Sequence, residues 1–378
     1  MKIHIDTTHI NKKTSGNKTY LLNLIEYLFK IDNKHNYNLI LTKNNKSIFD
    51  KYLQHVDYSL INFNCNNNLK KLFIQQIIIP TLLKKSDILF SPNNITSIFG
   101  DFHKIVTIHS MHLNLYYNIE NKNIISNMFK KLLLKLSSKK ADQIVSISRY
   151  SKNTFVNFYN IDESKIKTIY HGIEHISKEK KLSKKSDNPV INQLLKRKYI
   201  LFVSSLHKHK NVEKLINTYI DLHKNYDILN NTKLVIVGKD INNKIVKFKK
   251  KLKQINLHQD VYFTKFLENY NDIIRLYKNA HVFIFPSSIE GFGFPPLEAM
   301  VYQTPVLANN ATSIPEILGD AALYFDIDKE GDFEKKIIKI LKNKNLRKNL
   351  IKKGLKQTTK YSWKKTAKEM IDLFNKMS

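Results

Sequence analysis

An α/β chain of two doubly wound parallel sheets is the fold class that this sequence predicts. Three observations predict it. Apolar runs of strand length alternate with longer amphipathic segments along the chain. The alternation stops once, at the charged stretch SKEKKLSKKSDNP (177–189), and then restarts. The chain, at 378 residues, is also too long for one ordinary hydrophobic core.

In the first half the predicted strands are KIHIDT (2–7), YNLILT (37–42), DILFSP (87–92), HKIVTIH (103–109), QIVSIS (143–148) and KIKTIYH (165–171). Helical periodicity marks 19–31, 69–85 and 123–140. Strands separated by helices argue for parallel βαβ units. Residues 177–189 have no apolar face and read as a linker. In the second half the strands are YILFVSS (199–205), KLVIVG (233–238), VYFTKF (261–266), HVFIFP (281–286), TPVLAN (304–309) and AALYFD (321–326), with helices such as 212–225 and 270–280 between them. The predicted layout is a domain over 1–176, a linker over 177–189, a second domain over 190–360, and a closing helix within 361–378 that packs back towards the first domain. Ligands of such sheets bind beyond the carboxyl ends of the strands, here in a deep cleft between the domains.

Composition is that of a globular protein, with 42% hydrophobic residues. The one cysteine, Cys65, forbids an internal disulfide and fits a reducing, cytoplasmic compartment. The start, MKIHIDTTHI, is polar within a few residues and does not read as a signal peptide. No apolar run reaches the length of a transmembrane helix. The net charge of +31 falls almost equally on the two halves, so no basic arm exists. That spread disfavours nucleic acid and fits either biased composition or a general affinity for anionic surfaces.

The stretch with most chemistry in it is IEGFGFPPLEAM (289–300). It follows HVFIFP, an apolar run suited to a buried parallel strand, so it lies on the ligand side. Gly291 and Gly293 favour a turn, and Pro295 and Pro296 suit the first turn of a helix. Glu290 then belongs to the loop and Glu298 to the helix's first turn, both able to face one site. Amides of the turn and helix start make an anion-binding corner. Plainer readings exist: a solvated loop charge for Glu290, a helix-dipole partner for Glu298.

EGFGFPPLEAM resembles the E-x7-E signature of retaining glycosyltransferases of family 4, which have the GT-B fold. The resemblance continues through FPSSIEGFGFPPLEAMVYQTPVLANNATSIPEILGDAALYFD (285–326), LFVSSLHKHKNVEKLI (201–216) and YSWKKTAKEMIDLF (361–374), and through TIHSMH (107–112), SISRYSKN (146–153) and IYHGIE (169–174) in the first half. A lone E-x7-E says little; this ordered set spans nearly the whole chain.

The resemblance implies two Rossmann-like domains and a set of roles. Glu298 would bind the donor's ribose hydroxyls and Glu290 the transferring sugar. Amides around Gly291, Phe292, Gly293 and Phe294, with Leu297 behind them, would hold sugar hydroxyls. Lys210 would pair with the diphosphate, Ser205 would lie beside it, and the loop at Lys265 and Phe266 would cover the base. Gly16 would stand by the donor phosphate in the first domain. His109 would be the active-site histidine near sugar and acceptor, with His112 a lesser candidate. Lys210 could instead be a surface lysine at a helix start, and His109 a strand-end histidine bonded to backbone. The chain departs from the family in three places. Ser205 stands where many relatives have arginine, Ser110 follows His109 where many have aspartate, and the loop at Gly16 is glycine-poor.

Asp326 and Asp328 in FDIDK read as a turn rather than a metal site, and the fourteen histidines show no zinc spacing. In 127–140 the residues Met128, Phe129, Leu132, Leu133 and Leu136 form one face among lysines. That face could rest on an anionic membrane or pack on the first sheet.

The expected protein is a cytoplasmic, metal-independent, retaining hexosyltransferase, peripheral on the inner face of the membrane. It would move a hexose, mannose as the first guess, from a GDP- or UDP-linked donor to a glycan or lipid-linked acceptor in surface polysaccharide or envelope glycoconjugate synthesis. The nucleotide sugar is a substrate, so no cofactor is expected. Two other readings stand: a nucleotide-sugar epimerase or hydrolase on the same fold, and a non-enzymatic protein binding nucleic acid or membrane.

Overall fold

The computed structural model describes residues 2–11, 16–63, 67–109, 124–177, 185–241, 243–264, 267 and 269–377. The chain forms two compact units. One comprises Met1–Gly172 with Ser362–Ser378, the other Ile173–Tyr361.

The first unit is built on β1 (Lys2–Asp6), β2 (Asn36–Thr42), β3 (Asp57–Ile61), β4 (Ile88–Ser91), β5 (His103–Ile108), β6 (Gln143–Ser146) and β7 (Ile166–Thr168), in the order β3-β2-β1-β4-β5-β6-β7. The second is built on β8 (Lys198–Val203), β9 (Thr232–Val237), β10 (Val261–Thr264), β11 (Val282–Phe285), β12 (Val306–Asn309) and β13 (Ala322–Phe325), in the order β10-β9-β8-β11-β12-β13. Every neighbouring pair is parallel. The order reverses between β1 and β4 in one sheet and between β8 and β11 in the other, so each sheet has a topological switch point.

Each strand expected from an apolar run is present, its ends shifted by at most three residues. The central strands are buried on both faces; Val282, Phe283, Ile284 and Phe285 are all fully enclosed, as a sheet covered by helices requires. β3 was not expected. Its residues Asp57, Tyr58 and Leu60 are exposed, so this edge strand carries neither an apolar run nor a clean alternation. It is held by its ladder to β2 and by the Lys2–Asp57 ion pair at 2.7 Å.

Helix Gly16–Ile31 buries Tyr20, Leu21, Leu24, Ile25 and Leu28, the spacing of one helical face. The helix expected over 69–85 ends earlier and is not uniform. It runs Asn68–Phe73, passes through a π-helical stretch Ile74–Ile78, and closes at Ile79–Thr81. Pro80 has no N–H to return to the preceding turn, and the widened turn before it accommodates that loss.

Helix Trp363–Asn375 completes the first unit. Trp363 is fully buried and its ring stacks on His171 at 5.7 Å. Thr366 Oγ1 donates to the Tyr170 carbonyl (2.7 Å), and Phe374 packs edge-on against Phe90 (5.9 Å). Gly172 permits this seam: a Cβ there would lie 1.9 Å from the Trp363 backbone nitrogen. In the second unit Gly238 plays the same part at the end of β9, where a Cβ would lie 1.8 Å from the Ser204 carbonyl oxygen.

Gly172→Ala should therefore cost the first unit about 1–3 kcal/mol through forced separation of backbone from backbone. Gly16→Ala, with nothing within 4 Å of its added carbon, should stay within about 0.5 kcal/mol of wild type. Denaturant unfolding of both variants checks the contrast; equal losses would contradict it.

Candidate functional site

The second unit gathers its candidate residues at the carboxyl ends of β8 and β11, on either side of the switch point. After β8 the chain makes a single 3-10 turn, Lys208–Lys210, and then enters helix Val212–Asn225 through Asn211 in the left-handed conformation (φ 51°). Asparagine tolerates that geometry better than most side chains. The Asn211 side-chain amide donates to the Pro286 carbonyl (2.8 Å) and to Ser288 Oγ (2.6 Å). Ser288 N–H donates to the His209 carbonyl (2.9 Å). These bonds lay the loop after β11 alongside the turn after β8.

That alignment brings Lys210 Nζ onto Glu290 Oε1 in a close ion pair. The two side chains are only 12% and 11% exposed, so neither is a solvated surface charge. The Lys210 ammonium also lies 5.5 Å from the centre of the Phe285 ring. From the far side, Thr312 Oγ1 accepts the Glu290 N–H (3.0 Å), and Ser313 Oγ donates to the Glu290 carbonyl (3.0 Å). Thr312 has φ 55°, an unfavourable conformation for a β-branched residue. The strain is retained where it fixes the backbone of Glu290.

Gly293 caps helix Phe294–Val301 with φ 99°. A side chain there would be strained and would press on Ile314 Cδ1 at 2.7 Å. Pro295 and Pro296 occupy the first turn as expected; lacking N–H groups, they leave the amide donors of this corner to the glycine side of the turn. Phe292 is buried against Phe294 and Tyr361, and Leu297 is fully buried.

Glu298 is not in the first turn of the helix, as the sequence reading had it. The helix begins at Phe294, so its first turn holds no acidic residue and Glu298 opens the second turn. The helix dipole is therefore not what holds it. Tyr277 Oη donates to Glu298 Oε2 at 2.9 Å, and Tyr270 supplies a second hydroxyl. Burial pushes the Glu298 carboxyl up to about 7, against the opposing pull of the two tyrosine hydroxyls. Tyr270 and Tyr277 escaped the sequence reading, although their seven-residue spacing places them on one face of helix Tyr270–Asn279. Thr312, Ser313 and Asn211 escaped it as well; no spacing rule links them to Glu290 or Pro286.

Ser205 follows β8 and is half-buried. Lys244 Nζ donates to the carbonyl of its neighbour Leu206 at 3.2 Å, so an ammonium from helix Lys244–Gln254 reaches this segment. Asp326 accepts the Asp328 N–H (2.9 Å) in a local turn. Lys265 and Phe266 lie outside the described residues, as does His112.

In the first unit, His109 follows β5. Its Nε2 lies 2.7 Å from the Pro92 carbonyl, which can only accept, so Nε2 carries the proton and Nδ1 the lone pair. Its N–H donates to Asn94 Oδ1 (2.8 Å), and its ring stands edge-on to Tyr20 at 4.6 Å. Burial pushes the imidazole down to about 4, only partly offset by the Pro92 bond, so it is neutral near pH 7. Gly16 begins helix Gly16–Ile31, is exposed, and has open space above it. Among the described residues, no neighbour requires a glycine there.

Two family profiles cover these units. One, described as "Glycosyl transferases group 1", matches residues 183–357; the other, "Glycosyltransferase Family 4", matches residues 14–175. The chain is 30% identical over 297 residues to the uncharacterized glycosyltransferase MJ1069 of Methanocaldococcus jannaschii, covering 73% of this chain and 69% of that protein. It is 26% identical over 240 residues to the O-antigen chain mannosyltransferase RfbU of Salmonella typhimurium. That match covers 62% of this chain and 60% of RfbU's length. Among solved structures, Anabaena Alr3699/HepE in complex with UDP and glucose superposes over 100% of both chains with TM-score 0.73 at 14% identity. WaaG, a glycosyltransferase involved in lipopolysaccharide biosynthesis, superposes over 99% of both with TM-score 0.71 at 13% identity. The chain belongs to the group 1, family 4 glycosyltransferases, and its two parallel-stranded units are those of the GT-B fold.

Proposed function

We propose that the protein is a retaining hexosyltransferase that moves mannose from a nucleoside-diphosphate sugar to a hydroxyl of a glycan or lipid-linked acceptor in surface polysaccharide synthesis. The observation that carries the reading is the buried Lys210–Glu290 pair set between the ends of β8 and β11. The choice of mannose is supported by relatives named as O-antigen mannosyltransferases. A UDP-linked donor draws support from the HepE complexes, and a GDP-linked one is the other candidate. The lone cysteine supports work in a reducing, cytoplasmic setting.

The donor diphosphate competes with Glu290 for the Lys210 ammonium and draws it onto the phosphate. Glu290 is then released to accept from hydroxyls of the transferring sugar, with the amides around Gly291, Phe292, Gly293 and Phe294 as further partners. As the glycosidic bond lengthens, negative charge grows on the leaving diphosphate, and a fixed ammonium beside it is worth about 10²–10³ in rate. Lys244 supplies a second positive charge near Ser205, where the family resemblance implies an arginine in many members. The acceptor hydroxyl attacks from the face that the diphosphate leaves, and its proton passes to the departing phosphate. Glu298 accepts from the ribose hydroxyls. His109, neutral and with Nδ1 as an acceptor, orients a hydroxyl of sugar or acceptor, while Gly16 allows the diphosphate close to a helix start. Lys265 and Phe266 cover the base. No step calls for a metal ion, because lysine ammoniums meet the developing charge.

Three measurements test the reading. Glu298→Ala should weaken donor binding about tenfold or more with kcat little changed, whereas Glu290→Gln should lower kcat about 10²-fold with a smaller change in KM. Unchanged transfer in both variants would remove the paired-site reading, and donor loss without acceptor would favour an epimerase or hydrolase. Transfer should survive excess chelator; activity lost to chelator and restored by a divalent ion would contradict metal independence.

The third measurement is pH dependence. With its carboxyl raised to about 7, Glu298 is mostly protonated below that value and a poor acceptor for ribose. Donor affinity should rise about tenfold between roughly pH 6 and pH 8 as the carboxylate forms. The same raised value makes ionised Glu298 a stability cost, absent below about pH 4.5 and growing as pH rises through about 7. Glu298→Gln should flatten the affinity profile and gain stability over wild type above pH 7. Calorimetric titration of the nucleoside diphosphate across this range reads both proteins.

A further inference from the structure

An open apolar groove of about 410 Å³ lies in the first unit between the helical segments 68–81 and 124–140. Gln76 apart, its lining is apolar and includes Leu69, Phe73, Ile77, Phe99, Phe129 and Leu132. These are not core residues at the margin of solvent: Leu69 is 76% exposed, Leu132 55% and Phe129 51%. The floor is fixed by Gln76, whose Oε1 accepts the Ile98 N–H (2.8 Å) and whose Nε2 donates to the Thr96 carbonyl (3.2 Å).

Helix Ile124–Lys140 does not spend its large apolar face on the sheet. It turns Asn127, Leu133, Leu134, Ser137 and Ser138 inward and leaves Met128, Phe129, Leu132 and Leu136 outward. Ser137 Oγ accepts the Thr96 N–H (2.7 Å), and Ser138 Oγ donates to the Leu134 carbonyl (2.7 Å). Leu133 and Leu134 share the buried side with small polar side chains. Packing on the first sheet is made by Leu134, which clusters with Val106, Ile108 and Ile144, while Leu133 lines the groove and Met128, Phe129, Leu132 and Leu136 stay exposed. Contiguous exposed apolar surface of this kind marks an interaction site.

Charge identifies the occupant. Residues 58–86 and 121–141 contain no aspartate or glutamate, while Lys70, Lys71, Lys130, Lys131, Lys135 and Lys139 stand on the two helical segments. An apolar strip whose two helical walls carry lysines and no carboxylate, with Asp101 beyond Phe99 paired to Lys85 (3.1 Å), matches an anionic lipid surface, where the strip enters the acyl boundary and the ammoniums meet headgroups. No described helix is long and apolar enough to cross a membrane, so the contact lies on the bilayer and not through it.

We propose that this groove and its lysine rim dock the first unit onto an anionic phospholipid bilayer, with Phe73, Phe129 and Leu132 entering the headgroup–acyl boundary. The inference is independent of the reaction proposed above, because lipid binding is read without donor or acceptor.

The test is flotation of the full chain with vesicles of phosphatidylcholine alone or mixed in equal parts with phosphatidylglycerol. Binding should require phosphatidylglycerol and fall with salt. Because a net charge of +31 alone can hold a protein on anionic vesicles, a charge-matched pair of variants is needed. Leu132→Asp should lower the partition coefficient about tenfold. Val246→Asp, an equal charge change at an exposed site in the second unit, should leave it near wild type. The single tryptophan, Trp363, is buried, so Leu132→Trp adds an exposed reporter whose emission should shift to the blue on anionic vesicles. Equal losses in Leu132→Asp and Val246→Asp, or flotation with no emission shift, would overturn the docking site in favour of diffuse charge. A lipid-free dimer abolished by Leu132→Asp would overturn it in favour of a second copy of this chain.

Discussion

The left-handed turn at Asn211 is the constraint on which the site of the second unit depends. One side-chain amide holds two groups of the β11 loop, Pro286 and Ser288. It works alongside the Ser288 N–H, which donates to the His209 carbonyl, to lay the turn after β8 against the loop after β11. With it, Lys210 and Glu290 meet at bonding distance in a place with little water. An ion pair so enclosed is costly to form and contributes little net stability, since desolvation offsets the Coulomb gain. In the proposed reaction the pair supplies charges already desolvated and held in place.

Glu290 and Glu298 are held by different means, and the difference separates their chemistry. Glu290 is anchored through its backbone, by Thr312 and Ser313, and its carboxylate is neutralised by a cation. Glu298 is anchored through its carboxylate, by tyrosine hydroxyls, with burial working against its charge. A carboxylate held by neutral donors can exchange them for other hydroxyls at small cost, whereas one held by an ammonium responds to anything that competes for the cation. Two glutamates eight residues apart thus carry unlike sensitivities.

Much of this was legible in the sequence because the signals are local. Strands buried on both faces announce themselves as apolar runs, as in HVFIFP, and the paired prolines mark the start of helix Phe294–Val301. What was not legible depends on contacts across the chain or on reference to a surface. β3 has no pattern of its own because it is an edge. The turn in which Glu298 falls depended on where Gly293 starts the helix, a shift of one residue. Thr312 is set by tertiary context against its own conformational preference. The apolar face of helix Ile124–Lys140 was visible as periodicity, but periodicity does not say which side faces the sheet.

The seam at Gly172 and Trp363 also imposes an order of events. The chain leaves the first unit at Gly172, builds all of the second, and returns at Ser362. The core of the first unit is therefore unfinished until a segment nearly two hundred residues downstream has been synthesised. At about 5–20 residues per second, that leaves Tyr20, His171 and Phe90 uncovered for roughly ten seconds or more behind the ribosome. The second unit is contiguous and can close as soon as it emerges. During biosynthesis the domain written first is the domain completed last, because its closing helix is the last element of this sequence.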